Sequence, residues 1–141
     1  MKSKPGTYAL VLRSQKSLHT QIGRWGRLTI RPGYYIYVGS AFGPGGVLAR
    51  VSRHCREVKS KHWHIDYLRE FTIPTSVWYS HAAARLEHRW AETLIKMKDT
   101  VPVKGFGCSD CKCDAHLFFS TREPDPAAFA ALTQTLSDRN I

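Results

Sequence analysis

The sequence predicts an α/β (α+β) fold, in which a small central sheet, mixed or antiparallel, is flanked by helices. Two kinds of pattern predict it. Runs of β-branched, aromatic and apolar residues at 6–13 and 34–39 are typical of strands, whereas apolar residues recur at helical spacing in 47–55 and 82–98. The 141 residues suit one domain, 1–141, with a core at about 6–119. Strands alternating with helices over this length indicate a layered structure.

The first half of the chain carries the strongest strand signals. Gly6–Arg13 is predicted to be a buried strand, and the polar, basic stretch Ser14–Gly26 is interpreted as a loop. Leu28–Ile30 predicts a short strand, and Arg31–Gly33 supplies the turn before a second strong strand at Tyr34–Gly39.

A helix is predicted at Val47–Cys55, after the flexible turn Gly43–Gly46. Its apolar residues follow helical spacing, which places Arg50 and His54 together on the other face. Because unpaired amides at a helix N-terminus attract anions, the turn is a candidate phosphate site, with a plain surface turn as the alternative.

The following elements are a helix at His64–Phe71, a strand at Ser76–Ser80 and the helix at 82–98, which has the clearest periodicity. At about 100° per residue, Glu87 lies at the edge of that helix's apolar stripe and Glu92 on the opposite side. We therefore expect Glu87 to face a cleft and Glu92 to face water.

The last part of the chain contains a cysteine-rich loop, a strand at Leu117–Phe119 and a helix at about 126–138. The loop offers soft ligands for a structural Zn²⁺ ion: Cys108, Cys111, Cys113 and His116. Structural zinc usually draws its ligands from two separated pairs, so a tight turn that packs beside the functional site, with Asp110 in it, is the alternative.

The composition points to a polyanionic partner. Lys and Arg outnumber Asp and Glu by 21 to 11, which gives a net charge of +10 and a pI near 9.8. No apolar run approaches the roughly 20 residues of a membrane span, and the start of the chain lacks the apolar segment of a signal peptide. We expect a cytoplasmic protein that binds DNA, with RNA as an alternative, and no membrane.

Two short motifs resemble the paired signature of the GIY-YIG nuclease superfamily. They are Gly6-Thr7-Tyr8 on one predicted strand and Tyr37-Val38-Gly39 on another. An Arg and a His one turn apart on the next helix, Arg50 and His54, and Glu87 on a later helix complete the resemblance. Thr7 and Val38 each replace an Ile, and the basic segment between the two motifs is longer than in typical members.

Three further blocks resemble a little-characterised branch of this superfamily, whose members occur alone or fused to endonuclease III. The blocks are Tyr35–Gly46, His62–Leu68 and Gly105–Leu117. The resemblance implies a metal-dependent endonuclease that hydrolyses phosphodiester bonds in DNA, with single-stranded or branched DNA as candidate substrates and a DNA-repair protein as a candidate partner.

The resemblance also implies roles for particular side chains. Tyr8 would be the base, Tyr37 would position the attacking water, and Glu87 would bind Mg²⁺ or Mn²⁺. Arg50 would stabilise negative charge on the phosphate. A phenol has a pKa near 10, so Tyr8 would need Arg50, His54 or a metal-bound hydroxide to lower it.

Further residues are expected around this site. The predicted cleft residues are Gly39, Ser40, His64, Asp66 and Asp110. The predicted phosphate contacts are Arg13, Lys16, Arg24, Arg27, Arg31, Arg53 and Arg56. Candidates for stacking on an unpaired base are Trp25, Tyr34 and Trp63.

Other interpretations of the same residues remain open. Each predicted catalytic tyrosine could be an ordinary core residue, and Arg50 with Glu87 an ordinary ion pair. His62, His64 and Asp66 alternate along the chain and could bind a metal ion if this segment were extended. A helix start, with Asp66 bound to first-turn amides, is the favoured alternative. The alternative functions are a non-catalytic nucleic-acid-binding module and a zinc-stabilised structural or partner-docking domain, and the oligomeric state is open.

Overall fold

The computed structural model describes residues 1–56, 60–61, 63–104, 106, 115–133 and 136–139. Its strands are β1 (Gly6–Ser14), β2 (Leu18–Ile22), β3 (Gly26–Ile30), β4 (Gly33–Ala41), β5 (Ile73–Ser80), β6 (Thr100–Pro102), β7 (Leu117–Ser120) and β8 (Leu136–Arg139). Its helices are α1 (Gly46–Cys55), α2 (His64–Arg69), α3 (Glu87–Lys96) and α4 (Pro126–Thr133). The predicted α+β class is confirmed.

Six of these strands form one antiparallel sheet in the order β6-β7-β4-β1-β5-β8, and β2 pairs with β3 in a separate two-stranded ribbon. The central pair is β1 and β4. Tyr8 lies opposite Gly39 in this pair, and Leu10 lies opposite Tyr37. The two predicted signature motifs are therefore neighbours in space.

The two faces of the sheet are covered by different elements because successive side chains of a strand point to opposite sides. On one face, Tyr8 and Leu10 share a core with Val51 of α1, Ile65 of α2 and Leu28 of β3. Both predicted signature tyrosines, Tyr8 and Tyr37, therefore lie on the side covered by α1, α2 and the ribbon.

The other face of the sheet carries a second core. Here Val38 and Trp78 share a cluster with Trp90 of α3 and Phe129 of α4. The Phe129 ring centroid lies 4.7 Å from that of Trp78 and 5.3 Å from that of Trp90. The helices α3 and α4 are thus held to the sheet on the side opposite α1.

Two elements were predicted wrongly. Within Ser14–Gly26, interpreted as a loop, the chain forms β2, in which Leu18, Thr20 and Ile22 point inward and alternate with exposed polar residues. The predicted C-terminal helix at 126–138 ends at Thr133, and Leu136–Arg139 instead pairs with Ser76–Tyr79 of β5. The unpaired hydrogen-bonding groups of the β5 edge favour a strand there.

The helix predicted at 82–98 is shorter in the structure and begins at Glu87. Its predicted first turn is held in another conformation by two side-chain hydrogen bonds. The amide of Ala82 donates to the Ser80 hydroxyl at 3.2 Å, and the amide of Leu86 donates to the Thr7 hydroxyl at 3.2 Å. Glu87 is consequently the first helical residue, tied to β1 through its neighbour.

Candidate functional site

The Tyr8 phenol lies over the backbone of Gly39, directly across the β1–β4 pair. A Cβ atom at position 39 would lie 2.5 Å from the Tyr8 hydroxyl oxygen and 2.6 Å from Cζ of the same ring. Both distances are far below van der Waals contact. Only glycine at position 39 therefore leaves room for the phenol where it lies.

We expect Gly39→Ala to displace the Tyr8 ring and to lower the free energy of unfolding by about 1–3 kcal/mol, the usual effect of overpacking a core. Gly43→Ala is the matched control, because a Cβ there would have no heavy atom within 4 Å. Denaturant unfolding of both variants measures the difference. Equal stability of the two variants would show that the Tyr8 position does not depend on Gly39.

Tyr8 and His54 form a buried hydrogen-bonded pair at the centre of the site. The Tyr8 oxygen lies 2.8 Å from Nε2 of His54, and each residue is 1% exposed. The Tyr37 ring is half-buried beside them, 6.4 Å from the Tyr8 ring and 5.9 Å from the imidazole. Two phenols and one imidazole thus converge from β1, β4 and α1.

The position of His54 corrects the predicted orientation of α1. Arg50 and His54 were expected on the face opposite the apolar residues of the helix, but His54 is buried on the same side as Val47 and Val51. Leu48, predicted to be apolar and inward, is 38% exposed. The hydrogen bond between His54 and Tyr8 makes burial of the polar His54 side chain tolerable.

The protein groups around Tyr8 do not lower its pKa, as its predicted role as a base would require. Burial, and then the nearby Tyr37 hydroxyl, raise the pKa of Tyr8 well above 10.0. The charge and hydrogen bonding of Arg50 act in the opposite direction but are smaller, and the charge of Glu87 adds to the rise. The phenol is therefore protonated at neutral pH and can act only with a partner that takes its proton.

This raised pKa predicts an alkaline loss of stability. Between 10.0, the usual value, and the raised pKa, the folded state retains a phenol proton that the unfolded state has released. The contribution of this proton to the free energy of unfolding is therefore complete below pH 10.0 and is lost as the pH rises through that window. Denaturant unfolding across this range should show a shallower decline for Tyr8→Phe than for the wild type, and equal slopes would contradict the burial of an ionisable phenol.

Arg50 is held over the site by backbone and aromatic contacts. Its Nη1 donates to the Ser40 carbonyl at 3.2 Å, and its guanidinium carbon lies 4.6 Å from the Trp63 ring centroid. The guanidinium of Arg53 lies 4.2 Å from the same ring. Trp63 therefore orients two arginines one helical turn apart.

Asp66 fixes the second of these arginines. Nη1 and Nη2 of Arg53 donate to the two carboxylate oxygens of Asp66 at 2.8 and 2.9 Å, and the Trp63 amide donates to Oδ2 at 2.9 Å. This bidentate pair occupies donors that were predicted to contact phosphate. Asp66 is buried and bonds to an amide at the start of α2, as expected.

A surface groove of about 190 Å³ runs along the exposed side of α1. Its lining residues are Ala41, Gly43, Pro44, Gly46, Ala49, Arg50, Arg53 and Arg56. Three arginines spaced three residues apart therefore line the groove beside the Tyr8–His54 pair, and one of them, Arg53, is paired with Asp66.

Glu87 enters from the opposite side of the sheet, as the first residue of α3. Glu87 is a half-buried residue, and its charge raises the pKa of both Tyr8 and His116. Burial lowers the pKa of His116, and the charge of Glu87 opposes that change. Glu92 is exposed on the same helix, as predicted.

The family model described as "Domain of unknown function DUF123" matches residues 7–137 of the chain. The chain belongs to the DUF123 family. Searches of curated proteins and of solved structures returned no match. Family membership therefore covers the two tyrosines, α1, α2 and Glu87 alike.

Most of the residues predicted to bind zinc in the DUF123 domain lie outside the part of the chain that the structure describes. Cys108, Asp110, Cys111 and Cys113 are among them. His116 is described: its carbonyl accepts from the Val38 amide at 2.9 Å, and its ring centroid lies 6.3 Å from that of His88. Within the described ranges, no group of three or more His, Cys, Asp or Glu is placed to hold a metal ion.

The expected anion site at the start of α1 is wrong. The amides of Val47 and Leu48 donate to the carbonyls of Lys4 and Lys2 at 3.0 and 3.2 Å, and the Gly46 amide donates to Gly43 at 3.2 Å. The N-terminal segment of the DUF123 domain thus caps this helix. Gly46, at φ 63°, gives the close approach to Lys4 that this capping needs.

The remaining predicted contacts have mixed surroundings. The basic residues exposed to solvent are Arg13, Lys16, Arg24, Arg27, Arg31 and Arg56. The stacking candidates Trp25, Tyr34 and Trp63 are half-buried and pack within the fold. His64 packs its ring against Trp25 and Phe106, at 6.4 and 5.6 Å between ring centroids.

None of the helices described in the DUF123 domain is both long and apolar enough to cross a membrane.

Two positioning residues were missed by sequence reasoning. Thr7 was noted only as a residue that replaces an Ile, yet its hydroxyl accepts a hydrogen bond from the amide of Leu86, the residue before Glu87. Trp63 was considered for base stacking rather than as the residue that orients Arg50. A polar residue near the start of the apolar run 6–12 was the available signal for Thr7.

Proposed function

We propose that this DUF123 domain is a metal-dependent endonuclease of the GIY-YIG type that hydrolyses phosphodiester bonds in DNA. The observation that carries the proposal is the Tyr8–His54 hydrogen bond of 2.8 Å, with Arg50 of the same helix oriented beside it by the Ser40 carbonyl and the Trp63 ring. Phosphodiester hydrolysis needs a proton acceptor, a positive group for the phosphate and an aligned water. The site offers groups suited to each.

Because Tyr8 is protonated, it serves this chemistry as a relay rather than as a preformed base. The Tyr8 oxygen takes a proton from the attacking water while the hydroxyl proton moves to Nε2 of His54, so charge does not accumulate on the buried phenol. Tyr37, half-buried at the edge of the pair, orients the water. Such positioned proton transfer contributes typically 10²–10⁴-fold to a rate.

Arg50 binds the scissile phosphate and stabilises the charge that develops on it. Its planar guanidinium presents several donors in a fixed geometry, which lysine lacks. The Ser40 carbonyl and the Trp63 ring reduce the number of orientations it can adopt. The groove beside it admits the strand that carries the phosphate.

Glu87 is the residue that would hold Mg²⁺ or Mn²⁺. Its half-buried carboxylate is a hard oxygen donor, and Mg²⁺ is commonly bound through one or two carboxylates together with substrate phosphate and water. The donor set therefore fits such an ion. Bound there, it would act as a Lewis acid on the phosphate.

A cleavage panel tests the proposal. Purified protein is incubated with labelled single-stranded, duplex, flap and junction DNA, and with matching RNA, in Mg²⁺, in Mn²⁺ and with a chelator. The proposal expects metal-dependent cleavage of at least one DNA substrate and none with the chelator. Absence of cleavage on every substrate, or cleavage that persists with the chelator, would contradict it.

A second candidate function is a non-catalytic nucleic-acid-binding module. The burial of Tyr8, which is 1% exposed, favours this candidate because a buried phenol is usually a core residue. The two functions differ in the same panel. A binding module retains every substrate in a mobility-shift assay and cleaves none of them.

A further inference from the structure

The net positive charge of the chain belongs entirely to its first 56 residues. They contain ten Lys and Arg and no acidic residue, whereas residues 57–141 contain eleven of each kind. The surplus therefore lies on β1 to β4 and α1. Of these elements, β2 and β3 stand apart from the main sheet as a ribbon.

The ribbon presents a polar, acid-free face to solvent. His19 and Gln21 of β2 lie opposite Thr29 and Arg27 of β3, and all four are exposed. Their neighbours Ile22, Leu28 and Ile30 point the other way, into the core shared with α1 and α2. The outward face is thus fixed in orientation by the buried one.

Ring contacts tie the tip of the ribbon to the candidate site. The tip turn contains Arg24, which is exposed, and Trp25, which is half-buried. The Trp25 ring lies 5.5 Å from that of Phe106, which lies 6.4 Å from that of Tyr37. Two ring contacts therefore separate the tip from the site, a distance of the order of four base pairs at about 3.4 Å each.

We propose that the β2–β3 ribbon lies in the major groove of duplex DNA next to the cleaved phosphodiester, so that the substrate class is DNA with a duplex segment flanking the cut. This proposal rests on the proposed nuclease function. The major groove of B-form DNA, about 12 Å wide, admits a two-stranded ribbon. Strands of five residues extend for about 17 Å, half of a helical turn of about 34 Å.

The shape of the groove selects DNA over RNA for this contact. The major groove of an A-form RNA duplex is deep and too narrow for side chains to read. Arg24 and Arg27 contact phosphates at its border. Gln21 and Thr29 carry side chains of the kind that bond base edges, and binding would exchange their present hydrogen bonds to the Gly23 carbonyl and to Nδ1 of His19, both at exposed positions. A single strand offers the ribbon no groove at all.

The test compares two double variants that remove equal charge. Arg24→Gln/Arg27→Gln alters the ribbon, while Lys96→Gln/Lys98→Gln alters exposed positions at and just after the C-terminal end of α3, the end of the helix away from Glu87. We expect the ribbon variant to bind duplex DNA roughly tenfold more weakly. The slope of the logarithm of its binding constant against the logarithm of the salt concentration should fall in magnitude by about two. The α3 variant should match the wild type, and both should unfold at the wild-type temperature.

Three comparisons decide the outcome. Equal duplex binding by the two double variants, or wild-type binding to single-stranded DNA or duplex RNA as tight as to duplex DNA, would overturn the ribbon proposal. Cleavage is measured in the same preparations. Cleavage by the wild type with no difference between the variants removes the ribbon proposal alone. Selective loss of duplex binding without any wild-type cleavage removes the nuclease proposal and keeps the ribbon as a duplex-binding surface.

Discussion

Replacing Glu87 with glutamine is expected to lower the metal-dependent cleavage rate about a thousandfold, equivalent to about 4 kcal/mol of transition-state stabilisation. The amide keeps the size of the side chain but removes the charge that attracts a divalent cation. Because Glu87 is half-buried at the start of α3 and lies outside both hydrophobic cores, the fold should persist. DNA binding, which we assign to the basic residues among the first 56 positions, should change little.

Glu92→Gln is the matched control for this prediction. It removes the same charge from the same helix at an exposed position. Single-turnover rates of the wild type and both variants, in Mg²⁺ and in Mn²⁺, provide the comparison. If Glu87→Gln cleaves as fast as Glu92→Gln, the carboxylate of residue 87 has no part in metal binding.

Replacing Tyr8 with phenylalanine is expected to lower the cleavage rate by 10²–10⁴-fold, the typical contribution of a positioned proton-transfer group. The variant retains the ring that packs over Gly39 and loses the oxygen that bonds His54. Since His54 then loses a buried partner, the free energy of unfolding should fall by about 1–3 kcal/mol. Rates must therefore be measured well below the unfolding temperature of the variant.

Tyr35→Phe controls for the loss of a buried phenol hydroxyl. Tyr35 is 1% exposed and accepts the Arg31 amide at 3.0 Å, two residues from Tyr37 on β4. Its replacement should cost stability but leave cleavage near the wild-type rate. Equal rates for Tyr8→Phe and Tyr35→Phe would exclude the relay between Tyr8 and His54.

The fold was predictable where the signal was local. The apolar runs of β1 and β4 and the periodicity of α3 need no distant partner to be read. β2 could also have been predicted, because Leu18, Thr20 and Ile22 alternate with polar residues, but the polar and basic composition of the segment suggested a loop. β8 could not have been predicted from its own residues, because it forms a strand by pairing with the edge of β5, more than fifty residues earlier in the chain.

The sequence indicated the candidate site residues but not how they are arranged. Motif order indicated Tyr8, Tyr37, Arg50, His54 and Glu87, but burial of the Tyr8 phenol over Gly39 depends on the strand register, which is a non-local property. Its raised pKa follows from that burial and reversed the expected direction. The partners of Arg53 and of the Leu86 amide are equally non-local, so the roles of Asp66 and Thr7 became visible only in the structure.

The most direct test is to locate a bound cation in crystals of the wild-type protein grown with Mn²⁺ and an uncleaved DNA strand, using anomalous scattering. We predict a Mn²⁺ peak at about 2.0–2.2 Å from a Glu87 carboxylate oxygen, with a phosphate between that ion and Arg50. A Mn²⁺ ion bound elsewhere, with Glu87 turned away from both phenols and from the phosphate, would contradict it.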